Sequence, residues 1–209
     1  RSPHQQFFAH RSFIAKQVGN VRDVGLAAAY KFPKVPITLE AGIFNGSGLT
    51  NQKDFWTKNI NFSVKAQADL PKNFVVQASC QKIKPSDTSI FMVDAGAFFD
   101  DGKWHVEGEY LRKIYSGNAF PSVNAADAFA SRKFPIKNKF LSAVSALLRY
   151  DYMSNHSNGE KNDQGALYVN DPERHRITGG ATLSFGKPSL WAELRLNYEK
   201  YFYPGSTYV

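Results

Sequence analysis

Cysteine is almost absent from this sequence, since Cys80 is the single cysteine among 209 residues. An internal disulfide is therefore excluded, and so is a metal centre built on a cysteine cluster. Long apolar runs are missing too, because no stretch approaches the roughly 18 apolar residues that a spanning helix needs. With a mean hydropathy of −0.40, a helical membrane span is excluded. A membrane strand is not excluded, because its alternating pattern is averaged out in a sliding window.

Motifs of the common enzyme classes are also missing. The sequence has no G-x-S-x-G elbow, no P-loop and no dinucleotide fingerprint, and Gly46-Ser47-Gly48 fits a flexible loop. His105, Glu107 and Glu109 share one strand face and are candidates for a metal or acid–base site. We favour solvated side chains for them, because no second ligand cluster accompanies them. The sequence predicts no enzyme activity, no cofactor and no metal.

Two-residue alternation, by contrast, is abundant. Between Arg176 and Tyr203, two runs joined by a turn place apolar side chains at every second position. Successive side chains of a strand point to opposite faces, so each run is a strand with one apolar face and one charged face. Repeated along the chain, the pattern predicts an all-β protein with ten strands. They are predicted at 23–32, 37–43, 59–70, 74–81, 89–99 (with mixed faces), 104–110, 125–134, 141–152, 176–185 and 190–199.

The seventh strand is predicted from the connections rather than from its own pattern. Short and longer connections alternate up to that point, at 33–36, 45–58, 71–73, 82–88 and 100–102. Outer-membrane barrels alternate short turns with long loops in this way. A strand at Ala125–Phe134 preserves the alternation, because without it the loop 153–173 falls on the short-turn side. Residues 1–21 show no clean period and are predicted to form a loop-like lead-in with at most one helical turn.

The apolar strand faces have two alternative environments. In a transmembrane barrel they face lipid, whereas in a soluble β-sandwich or lipocalin-like ligand-binding barrel they pack into a core. Aromatic residues gather near strand ends with small aliphatic residues between them, which is typical of the girdle of a membrane barrel. These are Tyr30, Phe32, Phe74, Trp104, Phe134, Phe140, Phe185 and Tyr198. We therefore favour a single antiparallel transmembrane β-barrel domain over residues 1–209.

Positive charge exceeds negative charge, with 26 Lys and Arg against 18 Asp and Glu and a formal net charge of +8. A basic outer surface explains this excess, and so does a basic lumen that attracts anions. The channel-lining candidates are the basic residues on polar strand faces: Lys65, Arg149, Arg176 and Arg195, with Lys31 and Arg174 closer to strand ends. Acids on the same faces can pair with them: Glu40, Asp94, Glu107, Asp151, Glu193 and Glu199. No basic–aromatic module indicates a nucleic-acid partner.

Four short motifs carry a family resemblance. They are NVRDVG at 20–25, EAGIFNGSG at 40–48, RYDYMS at 149–154 and LRLNYEKYF at 194–202. In this order, and over roughly residues 13–203, the chain resembles the phosphate-selective porin O/P family, in the variety found in Bacteroides-type bacteria. The resemblance implies a porin in the outer membrane of a Gram-negative cell, with outer-membrane lipid and small anions as partners. It also implies a homotrimer of barrels with about sixteen strands each.

The sequence departs from that family pattern in two ways. Ten strands are predicted instead of about sixteen, and the last residues, PGSTYV, read as a loop rather than as a strand that ends in an aromatic residue. No methionine or apolar leader precedes Arg1, which suggests a removed signal peptide or an excised piece. We expect the C-terminal part of a longer porin, incomplete at both ends. The alternative is a complete, small, non-pore outer-membrane barrel.

Overall fold

The chain forms one antiparallel β-sheet in a computed structural model, and this confirms the all-β prediction. The structure describes residues 12–14, 24–45, 60–84, 88–118, 120–156, 163, 171–187 and 190–204. Ten strands follow one another in chain order, with β1 and β10 at the two ends of that order. Within the described ranges, no helix is long and apolar enough to cross a membrane.

The predicted strands are all present, including the seventh. Their bounds are β1 Gly25–Lys31, β2 Ile37–Phe44, β3 Asn61–Leu70, β4 Phe74–Ile83, β5 Ile90–Asp100, β6 Trp104–Tyr115, β7 Val123–Pro135, β8 Leu141–Met153, β9 Arg174–Lys187 and β10 Leu190–Phe202. Every strand pairs with the next in antiparallel register. Asp23 and most of the loops 45–58 and 153–173 lie outside the described residues.

The two faces of the sheet have opposite polarity and opposite exposure. Apolar side chains lie on the exposed face, where Leu26 and Tyr198 are each 73% exposed. Most charged and polar side chains of the strands lie on the other face, where Asp151 and Arg176 are 0% exposed. We call the exposed apolar face the outer face and the covered polar face the inner face. The alternation in the sequence therefore corresponds to the two faces, with the polar positions covered.

A short segment of the lead-in, Ser12–Ile14, lies against the inner face. Phe13 and Ile14 form a helical turn, as the sequence allowed, and are 1% and 3% exposed. Ile14 joins a buried cluster with β5 and β6 residues, while Phe13 contacts β10 through the ring of Tyr201 at 6.3 Å. Six strands of a flat sheet span about 24 Å, which two adjacent residues cannot bridge. The sheet therefore curves around this segment.

The inner segment explains two departures from the predicted pattern. The faces of β5 look mixed in the sequence because Ile90 and Met92 point inward, where they pack in the cluster of Ile14. Strand β6 continues five residues beyond its predicted end at Tyr110, because the inward Leu111 belongs to the same cluster. An inward apolar residue breaks the alternation that would have extended the strand prediction.

Candidate functional site

The charged centre of the inner face is built from rows of side chains on adjacent strands. Register places Asp127, Asp151, Arg176 and Tyr201 side by side on β7, β8, β9 and β10. Side chains at positions directly opposite in an antiparallel pair lie close enough to interact. The next row towards the short turns contains Arg149, Thr178 and Glu199, listed here in strand order.

Asp151 connects two arginines at this centre. Its Oδ2 accepts hydrogen bonds from Arg149 Nε at 2.8 Å and from Arg176 Nε at 3.0 Å. Arg176 extends to Glu199 through Nη1 at 3.4 Å, and the Tyr201 hydroxyl donates to the same carboxylate at 3.1 Å. Two guanidinium groups and two carboxylates thus balance one another. A covered ion pair of this kind is costly to break from one side, because the partner stays behind as a desolvated charge.

The inner segment closes over this centre. The Phe13 amide donates to Asp151 Oδ1 at 3.2 Å, and Ser12 hydrogen-bonds Asp127. The Phe13 ring centre lies 4.5 Å from the guanidinium carbon of Arg176 and 5.0 Å from that of Arg174. Guanidinium groups at this distance from an aromatic face are attracted by its quadrupole. The segment is therefore held by hydrogen bonds at Ser12 and Phe13, by cation–π contacts of the Phe13 ring, and by the apolar packing of Ile14.

Carboxylates dominate the neighbouring part of the inner face. Register sets Glu109 beside Asp127 and Asp127 beside Asp151, so three acidic residues occupy adjacent positions on β6, β7 and β8. Glu107 lies on the same face of β6, one row nearer the short turns. Asp151 is therefore the position at which the acids of β6 and β7 meet the arginines of β8 and β9.

Three of the six channel-lining candidates come together, and three lie apart. Arg149, Arg174 and Arg176 surround Asp151 and Phe13, with Arg174 also 3.8 Å from Asp171. Arg195 forms a partly exposed ion pair with Glu193 at 2.7 Å. Register places Lys65 on β3 beside Glu40, and Lys31 is exposed at the end of β1. The same-strand pairs Arg149–Asp151 and Arg195–Glu193, which the sequence left as an alternative, are present.

His105 lies between two carboxylates and two aromatic rings. Its Nδ1 lies 2.9 Å from Asp100 and its Nε2 lies 2.9 Å from Glu107, so carboxylates engage both nitrogens. The rings of Phe98 and Phe129 flank it, with centroids at 6.1 and 5.3 Å. Over the described part of the chain, no group of three or more His, Cys, Asp or Glu side chains is placed to hold a metal ion. His105 therefore acts here as a bridge between two carboxylates.

The sequence did not identify Phe13, Ile14 and Tyr201 as part of this site. A signal for the first two was present, because the lead-in contains apolar pairs at 7–8 and 13–14 although it forms no strand. The mixed faces of β5 were the complementary signal, since inward apolar residues on a polar face need an apolar partner.

Comparison of the chain with protein-family models, with curated proteins and with solved structures gives no match. The fold and the charged inner face are therefore the observations from which a function is inferred.

Proposed function

We propose that this chain is part of a transmembrane β-barrel that acts as an outer-membrane porin of a Gram-negative cell. Its inner face lines a water-filled path for small anions, and its outer face contacts membrane lipid. The observation that carries the proposal is the reversed polarity of the sheet. Charged positions such as Asp151 and Arg176 are covered, while apolar positions such as Leu148 and Ile177 are exposed on the same strands.

Hydrophobic burial makes this arrangement unfavourable for a soluble protein. Exposed apolar area costs about 25 cal/mol per Å² in water, and the outer face presents it on every strand. In lipid the same face is favourable, whereas charges there cost about 2–4 kcal/mol each near the midplane. A soluble β-sandwich would need a second layer over this face, and no described residue provides one. The reversed polarity thus supports a membrane environment over a soluble ligand-binding domain.

Aromatic positions add support for the membrane. On the outer face Tyr30, Phe74 and Trp104 lie near the short turns, with exposed fractions of 58%, 46% and 41%. Amphipathic and aromatic rings at both ends of an apolar band are typical of membrane interfaces. Between these ends the outer positions of β3 and β4 include Val64, Ala66, Ala78 and Val76. Small aliphatic side chains of this kind suit the hydrocarbon region.

Anion preference follows from the basic residues that remain in contact with a solute path. Lys65 and Arg195 are partly exposed on the inner face, and Lys31 is exposed at the end of β1. Arg149 and Arg176 contribute less charge to the path, because Asp151 shares both. The resemblance to phosphate-selective porins suggests phosphate as a solute and a homotrimer as the assembled state. Both are parts of this proposal, together with a longer chain that completes the barrel.

A second candidate is a small outer-membrane barrel without a pore. The observation that favours it is the filled inner face, where Phe13, Arg176 and Asp151 are at most 1% exposed. Side chains fill the interior of narrow barrels in this way. Such a protein would insert in a membrane without conducting ions.

Reconstitution in a planar bilayer under a salt gradient distinguishes these candidates. We expect stepwise conductance with a reversal potential that favours anions, and a larger conductance for Phe13→Ala, which removes the ring over the arginines. Phe13→Leu is the matched control, because it retains most of the volume. Insertion without conductance, in both the parent and Phe13→Ala, would favour the non-pore barrel. A chain that stays in solution without detergent would contradict both membrane candidates.

A further inference from the structure

The short connections of the sheet lie together at one end of the strands, which we call an edge of the sheet. In an antiparallel meander every second connection is on the same side, so the described connections 32–36, 71–73, 101–103 and 136–140 share this edge. We define the turn rim as these connections with the three flanking strand residues on each side. The lysines of the turn rim are Lys31, Lys34, Lys72, Lys103, Lys133, Lys137 and Lys139, and its acids are Asp69, Asp100 and Asp101. Every connection thus has at least one lysine.

Internal hydrogen bonds occupy the three aspartates. Asp101 Oδ1 accepts from the amides of Lys103 and Trp104 at 2.8 and 2.6 Å. Asp100 accepts from the Gly102 amide at 2.8 Å and engages His105, which points to the inner face. The hydrogen bonds from Trp104 and Lys103 lower the pKa of Asp101, so this carboxylate stays ionised as part of the turn. Asp69 accepts from Gln67 at 2.9 Å. All three carboxylates are therefore engaged in hydrogen bonds within the protein.

The lysines of the turn rim are exposed at the surface. Lys34, Lys72, Lys103, Lys137 and Lys139 are all exposed. Lys72 has a φ of 64°, a left-handed conformation that favours glycine or asparagine. A lysine there costs backbone energy, and its side chain is exposed. Charge at the rim is the property that this residue adds.

A collar of aromatic rings adjoins this charge on the outer face. The Arg132 guanidinium carbon lies 4.9 Å from the ring centres of both Trp104 and Phe134. Phe74 packs on Phe99 at 5.4 Å beside the next turn along the rim. Exposed rings with cations beside them match the two layers of a lipid headgroup region, in which aromatics lie at the boundary and basic groups contact phosphates.

We propose that the turn rim binds the headgroups of anionic phospholipids and enriches them around the protein. The occupant is a lipid rather than a soluble anion, because the rings beside the lysines need an apolar neighbour and a free anion offers none. Seven basic side chains against three internally bonded acids supply the charge complementarity. The inference rests on the proposed membrane function, since it requires the outer face to contact lipid. To that function the inference adds the class of lipid that is bound and the part of the protein that binds it.

Quenching by brominated lipids tests this directly, because Trp104 lies at the rim. Trp56→Phe and Trp191→Phe leave it as the single tryptophan of the full chain. The protein is reconstituted in phosphatidylcholine vesicles that contain a minor fraction of either brominated phosphatidylglycerol or brominated phosphatidylcholine. We expect the local concentration of the anionic lipid to be roughly fivefold above that of the neutral one, the factor that one basic residue near an anionic surface provides. High salt should reduce that ratio.

Two double variants separate the rim from charge in general. Lys103→Gln with Arg132→Gln removes two cations beside Trp104 and should bring the ratio close to one. Lys82→Gln with Lys200→Gln removes two exposed lysines near the opposite edge, where Lys200 lies over the Phe202 ring at 5.3 Å, and should leave the ratio unchanged. Equal quenching by both lipids in the parent protein would overturn the inference while leaving a membrane protein. An absence of quenching by either lipid would show that the chain does not insert, and would overturn the proposed function together with the inference.

Discussion

The two faces of β8, β9 and β10 have the same backbone and opposite surroundings. On the inner face, Asp151 and Arg176 are fully covered and Arg149 is 5% exposed. On the outer face, Leu148, Leu196 and Tyr198 are 59%, 55% and 73% exposed. A soluble sheet of this sequence would show the reverse, with leucines covered and arginines in solvent. Charge pairing therefore organises the inner face of these strands, and apolar side chains form the outer face.

The inner face owes its order to pairing rather than to apolar packing alone. Each arginine near the centre has a carboxylate within 4.0 Å, and two of the buried apolar clusters include Ile14 or Phe13 of the lead-in. The effect of a substitution should therefore depend on the face on which the residue lies and on whether its charge is paired.

Removing the shared carboxylate should have the largest effect. Asp151→Ala leaves Arg149 and Arg176 without their common partner in a covered site and should lower the free energy of unfolding by about 3–5 kcal/mol. Urea unfolding of the protein folded in detergent micelles measures this. The matched control is Glu193→Ala, which breaks the partly exposed pair with Arg195 and should cost at most about 1 kcal/mol. Equal costs for the two variants would contradict a charge-organised interior.

Placing a charge on the outer face should have the second-largest effect. Leu194→Arg and Val64→Arg should each cost about 2–4 kcal/mol near the midplane and prevent stable membrane assembly. The fraction of protein that folds on adding lipid vesicles, followed by resistance to protease, measures assembly. Lys65→Ala and Arg195→Ala are the inner-face controls and should assemble normally. An inner face as intolerant as the outer one would support a soluble fold.

Neutralising two arginines of the inner face should have a smaller effect, which is a change in ion selectivity. Neutralising Arg149 and Arg195 together should lower the anion-to-cation permeability ratio, read from the reversal potential in a salt gradient. Asp151 retains Arg176 at 3.0 Å, so the fold should survive. The shift should be limited because Glu193 and Glu199 already offset part of the positive charge. Lys82→Gln on the outer face is the control, and an unchanged ratio in the double variant would exclude these arginines from the ion path.

The strands were predictable from sequence because each has faces in different environments. Alternation is a local signal, and even β7 followed from the alternation of short and long connections. Same-strand pairs such as Arg149–Asp151 were readable for the same reason, since positions i and i+2 share a face. The barrel closure, the solute and the trimer stay predictions.

The rest of the site depends on long-range contacts that local patterns do not contain. The hydrogen bond from Phe13 to Asp151 joins residues 138 positions apart. The cross-strand pair of Arg176 and Asp151 depends on register, which turn geometry and face burial set together. The true length of β6 was hidden because Leu111 is inward and apolar under Ile14. The alternating pattern therefore did not predict the inward strand residues that pack against the lead-in.

The native cysteine tests the central claim most directly, because Cys80 lies on the outer parity of β4 between Val64 and Val93. Its neighbour Gln81 lies on the inner parity. In reconstituted vesicles we expect a charged, water-soluble thiol reagent to leave Cys80 unmodified until the protein is unfolded. The same reagent should modify the variant Cys80→Ser/Gln81→Cys rapidly. Modification of Cys80 as fast as of the cysteine at position 81 would contradict an outer face in lipid and an inner face in water.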